Sequence, residues 1–88
     1  MKSEFRKRFI SDMKGIKNKS LADDIQFIID SIHKANSISG ISGVKKLAGH
    51  KDYYRVRIED YRIGIKVSGN TAIFICLLHR SDIYKQFP

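Results

Sequence analysis

The sequence predicts an α+β fold in which two N-terminal helices pack on one face of a three- to four-stranded antiparallel sheet. Two patterns and the break between them carry this reading. Apolar residues recur at helical spacing up to about residue 35, and at a period of two beyond Lys51. Between these stretches, residues 37–49 are punctuated by Ser and Gly, as a connection should be. At 88 residues, the chain has room for one domain (1–88) with one modest core.

In the first stretch, Phe5, Phe9, Met13 and Ile16 recur at spacings of four, four and three. They predict a helix that Gly15 and the polar run Lys17, Asn18, Lys19 bring to an end. Ser20 followed by Asp23 resembles a capping-box start. Leu21, Ile25, Ile28, Ile32 and Ala35 then form one stripe with Ile29 beside it, predicting a second amphipathic helix that ends near Asn36. His33 falls at the surface or end of this helix. Residues 44–47 suit a short strand.

Two longer strands follow. Tyr54, Val56 and Ile58 alternate with Arg55 and Arg57; Tyr61, Ile63, Ile65 and Val67 alternate with Arg62 and Lys66. Ser68-Gly69-Asn70 signals a turn, and residues 71–78 read as a well-buried strand. The lone Cys76 lies within that apolar run. It has no second cysteine for a disulfide or for a shared zinc ion, and reads as a small buried hydrophobe in a reducing compartment. No apolar run approaches the roughly 18 residues that span a bilayer, and the N-terminus lacks a signal-peptide core, so a cytoplasmic location is expected.

Seventeen Lys and Arg against nine Asp and Glu leave a net charge of +8. In so short a chain this favours a polyanionic partner, nucleic acid or an acidic protein, over solubility alone if the charges cluster. The hairpin indicates that they do. With Glu59-Asp60 as a two-residue loop, Ile58 pairs with Tyr61, Val56 with Ile63 and Tyr54 with Ile65, which puts the apolar members on one face. On the other face Arg57 lies across from Arg62, and Arg55 across from Gly64. Like charges directly opposite destabilise a sheet by a few tenths to about 1 kcal/mol, so folding alone does not select this arrangement. A phosphate does, because guanidinium forks grip its oxygens bidentately and keep their charge. Gly64 would leave room for a ligand to approach the sheet. A solvated basic face is the plainer reading of the same pattern.

Several stretches together resemble the RelE/ParE toxin superfamily of type II toxin–antitoxin systems. They are Lys45-Lys46-Leu47-Ala48-Gly49, Tyr54-Arg55-Val56-Arg57-Ile58, Asp60-Tyr61-Arg62-Ile63-Gly64 and His79-Arg80-Ser81-Asp82-Ile83-Tyr84. In order, and with the two leading helices, they span nearly the whole chain. The resemblance implies a cytoplasmic toxin held by a cognate acidic antitoxin. RelE-like members enter the 70S ribosome A site and cut mRNA without a cofactor or metal. The 2′-hydroxyl attacks the neighbouring phosphate, leaving a 2′,3′-cyclic phosphate and a 5′-hydroxyl. ParE-like members share the fold but poison DNA gyrase, and a toxin that has lost activity would only bind.

Carried over residue by residue, the resemblance makes Arg62 the group that stabilises charge on the phosphate. Tyr84 would stack on a base or transfer a proton, and one of His79 and Arg80 would reach the phosphate. Arg55 and Arg57 stand where RelE carries lysines, and would contact phosphate or rRNA. Arginine is a very poor base, so either His79 is the proton acceptor or the mechanism is mostly electrostatic. Lys45, Lys46 and Lys51 extend the RNA-binding region, and Tyr53 is free to stack on a base or pack against an antitoxin.

Overall fold

The computed structural model describes residues 1–88, and its first element is a strand, not the start of a helix. Strand β1 is Lys2–Phe5, and helix α1 runs from Lys7 to Lys14. The Phe5–Phe9 spacing that suggests a helix is satisfied differently. Phe5 leaves the sheet beside Phe9, with ring centroids 5.8 Å apart, and stacks on Phe74 at 4.9 Å. Helix α2 spans Lys19–Lys34. Its cap is Asn18 rather than Ser20: the Asn18 side chain accepts the Leu21 N–H at 3.0 Å, so the helix starts earlier than the Ser20–Asp23 pair suggests. Leu21, Ile25, Ile29 and Ile32 form its buried stripe, while Ile28 is only partly covered.

After a single 3₁₀ turn at Ile38–Gly40 come β2 (Val44–Lys46), β3 (Tyr53–Ile58), β4 (Tyr61–Ser68) and β5 (Thr71–His79). A third helix, α3 (Arg80–Gln86), closes the chain. The sheet is therefore five-stranded and mixed, in the order β1-β5-β4-β3-β2. The expected three to four antiparallel strands are there, and β1 adds a parallel edge, with Lys2 opposite Thr71 through Phe5 opposite Phe74. Beyond Phe74 the chain turns away into α1, leaving the outer edge of β5 without a strand. There the Asp12 carboxylate accepts the Leu77 N–H at 2.9 Å, so α1 itself completes the edge.

The β3–β4 register is the one read from the alternation, including Arg57 opposite Arg62 and Arg55 opposite Gly64. Glu59 takes the positive φ (53°) that the tight loop demands. The β4–β5 register shifts between Gly64 and Ile65, where Gly64 pairs with Cys76 but Ile65 with Phe74. Ile75 is the extra residue of a bulge. This shift lets Ala72, Phe74 and Leu77 all face α1 and α2, in one core with Val56, Ile58, Ile63 and Ile65.

The opposite face of the sheet carries a second, smaller core of Leu47, Cys76, Ile83 and Phe87, built by α3. This overturns one expectation. The space over Gly64 is not open to a ligand, because Phe87 fills it: a Cβ on Gly64 would meet the ring at 2.7 Å and the Cys76 sulfur at 2.9 Å. Cys76 is buried as expected, and burial pushes its thiol above the usual pKa against the opposing pull of Arg8. Gly64→Ala should therefore expel Phe87 and lower stability by about 1–3 kcal/mol. Urea unfolding would measure the loss, and trypsin cleavage after Lys85 in the native protein should accelerate.

Candidate nucleic-acid interface

Alternation along β2, β3 and β4 directs Lys45, Arg55, Arg57 and Arg62 to the same face as α3. Lys45 lies directly opposite Arg55, and Arg57 opposite Arg62. The sheet thus carries two adjacent like-charge pairs. With Gly43 and Tyr84 they line a pocket of about 220 Å³. A larger depression of about 500 Å³ lies between the α1–α2 connection and the β3–β4 turn, bordered by Lys17, Glu59 and Asp60. Its carboxylates repel an anion, so the smaller, cationic pocket is the one suited to phosphate.

The Arg62 guanidinium is held in place by the backbone. Its Nη1 donates to the carbonyl oxygens of Glu59 and Tyr61, both at 2.9 Å. Those acceptors are neutral, so the charge remains available. The acids of the adjacent turn do not quench it either: Asp60 lies 3.8 Å from Arg80, and the other ion pairs are Arg8–Asp12 and Lys19–Asp23. None of the four pocket cations has a carboxylate partner. Arg55 places its guanidinium 4.6 Å from the centre of the Tyr84 ring, a cation–π contact that fixes the wall of the pocket. Tyr84 is 68% exposed and keeps a free aromatic face. Its neighbour Ile83 is fully buried and anchors that turn of α3.

The other expected site residues lie elsewhere. Counted from the Ser68–Thr71 turn, His79 should share the arginine face. The bulge at Ile75 turns it over, so His79 pairs with Tyr61 on the α1 side and meets that ring edge-on at 5.7 Å. Its Nδ1 accepts the Ser81 N–H at 3.2 Å and caps α3. The β5 residue across from Arg62 is instead Leu78. Arg80 is directed at the β3–β4 turn, where its N–H reaches the Asp60 carbonyl at 2.7 Å. Lys46 pairs with Tyr54, so strand alternation directs it away from the pocket. Lys51 is exposed in the β2–β3 turn. Tyr53 is half-buried rather than free, packed 5.6 Å from the Phe87 ring with the Lys66 ammonium above it. His33 is exposed at the end of α2.

One pocket residue was not singled out from the sequence. Gly43 forms part of the rim with φ 83°, where a Cβ would press to 3.1 Å on the Arg57 carbonyl. Its position just before an apolar–basic strand is the signal that marks it.

Residues 4–84 match the family model described as "ParE toxin of type II toxin-antitoxin system, parDE", and the chain belongs to this family, within the RelE/ParE superfamily. It is 40% identical, over the full length of both chains, to Toxin RelE3 of Methanocaldococcus jannaschii. It is also similar to the toxin in the crystal structure of the RelB–RelE antitoxin–toxin complex from Methanococcus jannaschii. That match has 39% identity and a TM-score of 0.82, covering 97% of this chain and 99% of the other. The archaeal RelE–RelB complex from Pyrococcus horikoshii shares the fold at 20% identity, with a TM-score of 0.74 over 90% of this chain and 93% of the other.

Neutralising one member of a like-charge pair should stabilise the free protein. Arg57→Gln is expected to raise unfolding free energy by a few tenths to about 1 kcal/mol at low salt. The gain should shrink as salt screens the pair, which urea titrations at two ionic strengths would show.

Proposed function

We propose that the toxin is a ribosome-dependent endoribonuclease that blocks translation by cutting mRNA in the A site. The observation that supports this reading best is the pocket itself: three arginines and a lysine, none paired with a carboxylate, beside an exposed tyrosine. In this reading the mRNA phosphate sits among the cations. Arg62, already oriented by two carbonyls, uses its remaining N–H groups to stabilise the charge that grows on the phosphate during attack by the 2′-hydroxyl. Arg55 and Arg57 bind the flanking phosphate oxygens or rRNA. Tyr84 offers its open face to a base, as a stacked aromatic does in single-strand recognition.

Proton transfer then falls to the pocket side chains that can release a proton. Arginine does not, which leaves Lys45 and the Tyr84 phenol. His79 and Arg80 lie outside the pocket. The products are a 2′,3′-cyclic phosphate and a 5′-hydroxyl, formed with no metal in the mechanism. Lys46 and Lys51 add charge toward the ribosome, and the toxin acts in the cytoplasm, where ribosomes are.

The partner that restrains it is an acidic antitoxin segment covering the cationic face. The +8 charge suits such a segment, and the 39% identical relative was crystallised with its antitoxin. Gyrase inhibition without nuclease activity is the second reading, favoured by the ParE description of the matching family model.

Mapping RNA 5′ ends after brief induction separates the two. The nuclease reading expects new 5′-hydroxyl ends inside codons of translated messages. Arg62→Ala should slow cleavage by roughly 10²–10³-fold with the fold intact. Tyr84→Phe retains the ring over Arg55 and tests the hydroxyl alone; a proton-transfer role predicts a loss of about 10²-fold or more. Intact transcripts together with accumulated gyrase–DNA cleavage complexes would overturn the nuclease reading.

A further inference from the structure

We propose that His79 is a positioning residue: its imidazole caps α3 and so holds Tyr84 at the arginine pocket. This rests on the nuclease reading only for what the pocket does; the capping itself stands on geometry.

Helix α3 has seven residues, too few to persist without tertiary support. Ile83 and Phe87 anchor one side of it on Leu47, Cys76 and Gly64. At its C-terminal end, Gln86 accepts a hydrogen bond from Arg8 of α1. At its N-terminal end, the free N–H of Ser81 is met by His79 Nδ1 at 3.2 Å, and the Ser81 hydroxyl lies 2.8 Å from the same nitrogen. His79 holds the extended backbone of a cap residue (φ −61°, ψ 148°). Between these ends sits Tyr84, with its ring under the Arg55 guanidinium. The cap, the apolar anchor and the pocket wall are thus parts of one short helix.

Accepting from Ser81 requires the lone pair on Nδ1, hence the neutral tautomer with its proton on Nε2. The groups around the ring offer the Ser81 N–H no other acceptor. From β4 the ring meets the edge of Tyr61, and from α3 and α1 the depression it lines includes Asp82 and Asp12. Asp12 is already engaged by the Leu77 N–H and by Arg8. In the nearby turn, Asp60 is paired with Arg80. None of these carboxylates bonds the Ser81 N–H.

Capping and acid–base catalysis predict opposite behaviour for one substitution. Asparagine is among the best N-cap residues and cannot titrate or act as a base. His79→Asn should therefore retain wild-type mRNA cleavage on programmed ribosomes. His79→Ala should speed amide hydrogen exchange at Ser81 through Tyr84 by about fivefold, the loss typical of a missing cap, with a comparable fall in cleavage.

An inactive His79→Asn with normal protection of α3 would overturn the proposal and return His79 to proton transfer. Unchanged protection in His79→Ala would overturn it as well. If the wild type cuts no RNA, the nuclease reading fails while the exchange data still decide whether His79 holds α3.

Discussion

Where the ring of Phe87 lies on Gly64, no side chain intervenes between the C-terminal helix and the backbone of β4, and the division of that sheet face follows from this contact. With Phe87 seated, Ile83 reaches Cys76 and Leu47, and α3 seals part of this face. The rest is left to Lys45, Arg55, Arg57 and Arg62. Tyr84 stands on the boundary, with an anchored backbone and an open ring. A larger residue at position 64 would move the boundary and the tyrosine with it.

The cationic half is under electrostatic strain. Two like-charge pairs face each other across neighbouring strands, while the acids seen in ion pairs are used elsewhere: Asp12 at the edge of β5, Asp23 on α2, Asp60 with Arg80. Repulsion among exposed charges is modest, and the two apolar cores tolerate it. An anionic ligand that binds only the folded state relieves the repulsion and adds its own binding energy. The same surface therefore suits an anionic ligand, whether a nucleic-acid phosphate or an acidic protein segment.

The hairpin was legible because a two-residue loop and strict alternation leave a single register that buries Val56, Ile58, Ile63 and Ile65 together. The arginine cluster came with it. Strand β1 was not legible: Phe5 and Phe9 fit a helical period, and what makes residues 2–5 a strand is a partner at the other end of the chain. Helix α3 was hidden because His79 is an unusual cap and the segment is too short for a stripe. The bulge had the widest effect. In a continuous apolar run, nothing marks Ile75 as the extra residue, yet it turns over every side chain after it. That one residue puts His79 on the helix side, and Leu78 across from Arg62.

Pairing β1 with β5 also sets when the protein can acquire its shape during its own synthesis. Strand β1 leaves the ribosome well before its partner, residues 71–74, which is made only after α1, α2 and β2 to β4. The outer edge of β5 is finished by Asp12, so that closure waits on the same late residues. The pocket waits too, since Tyr84 and Phe87 come after them. A nascent chain cannot assemble the cationic pocket until β5 and α3 have both been made.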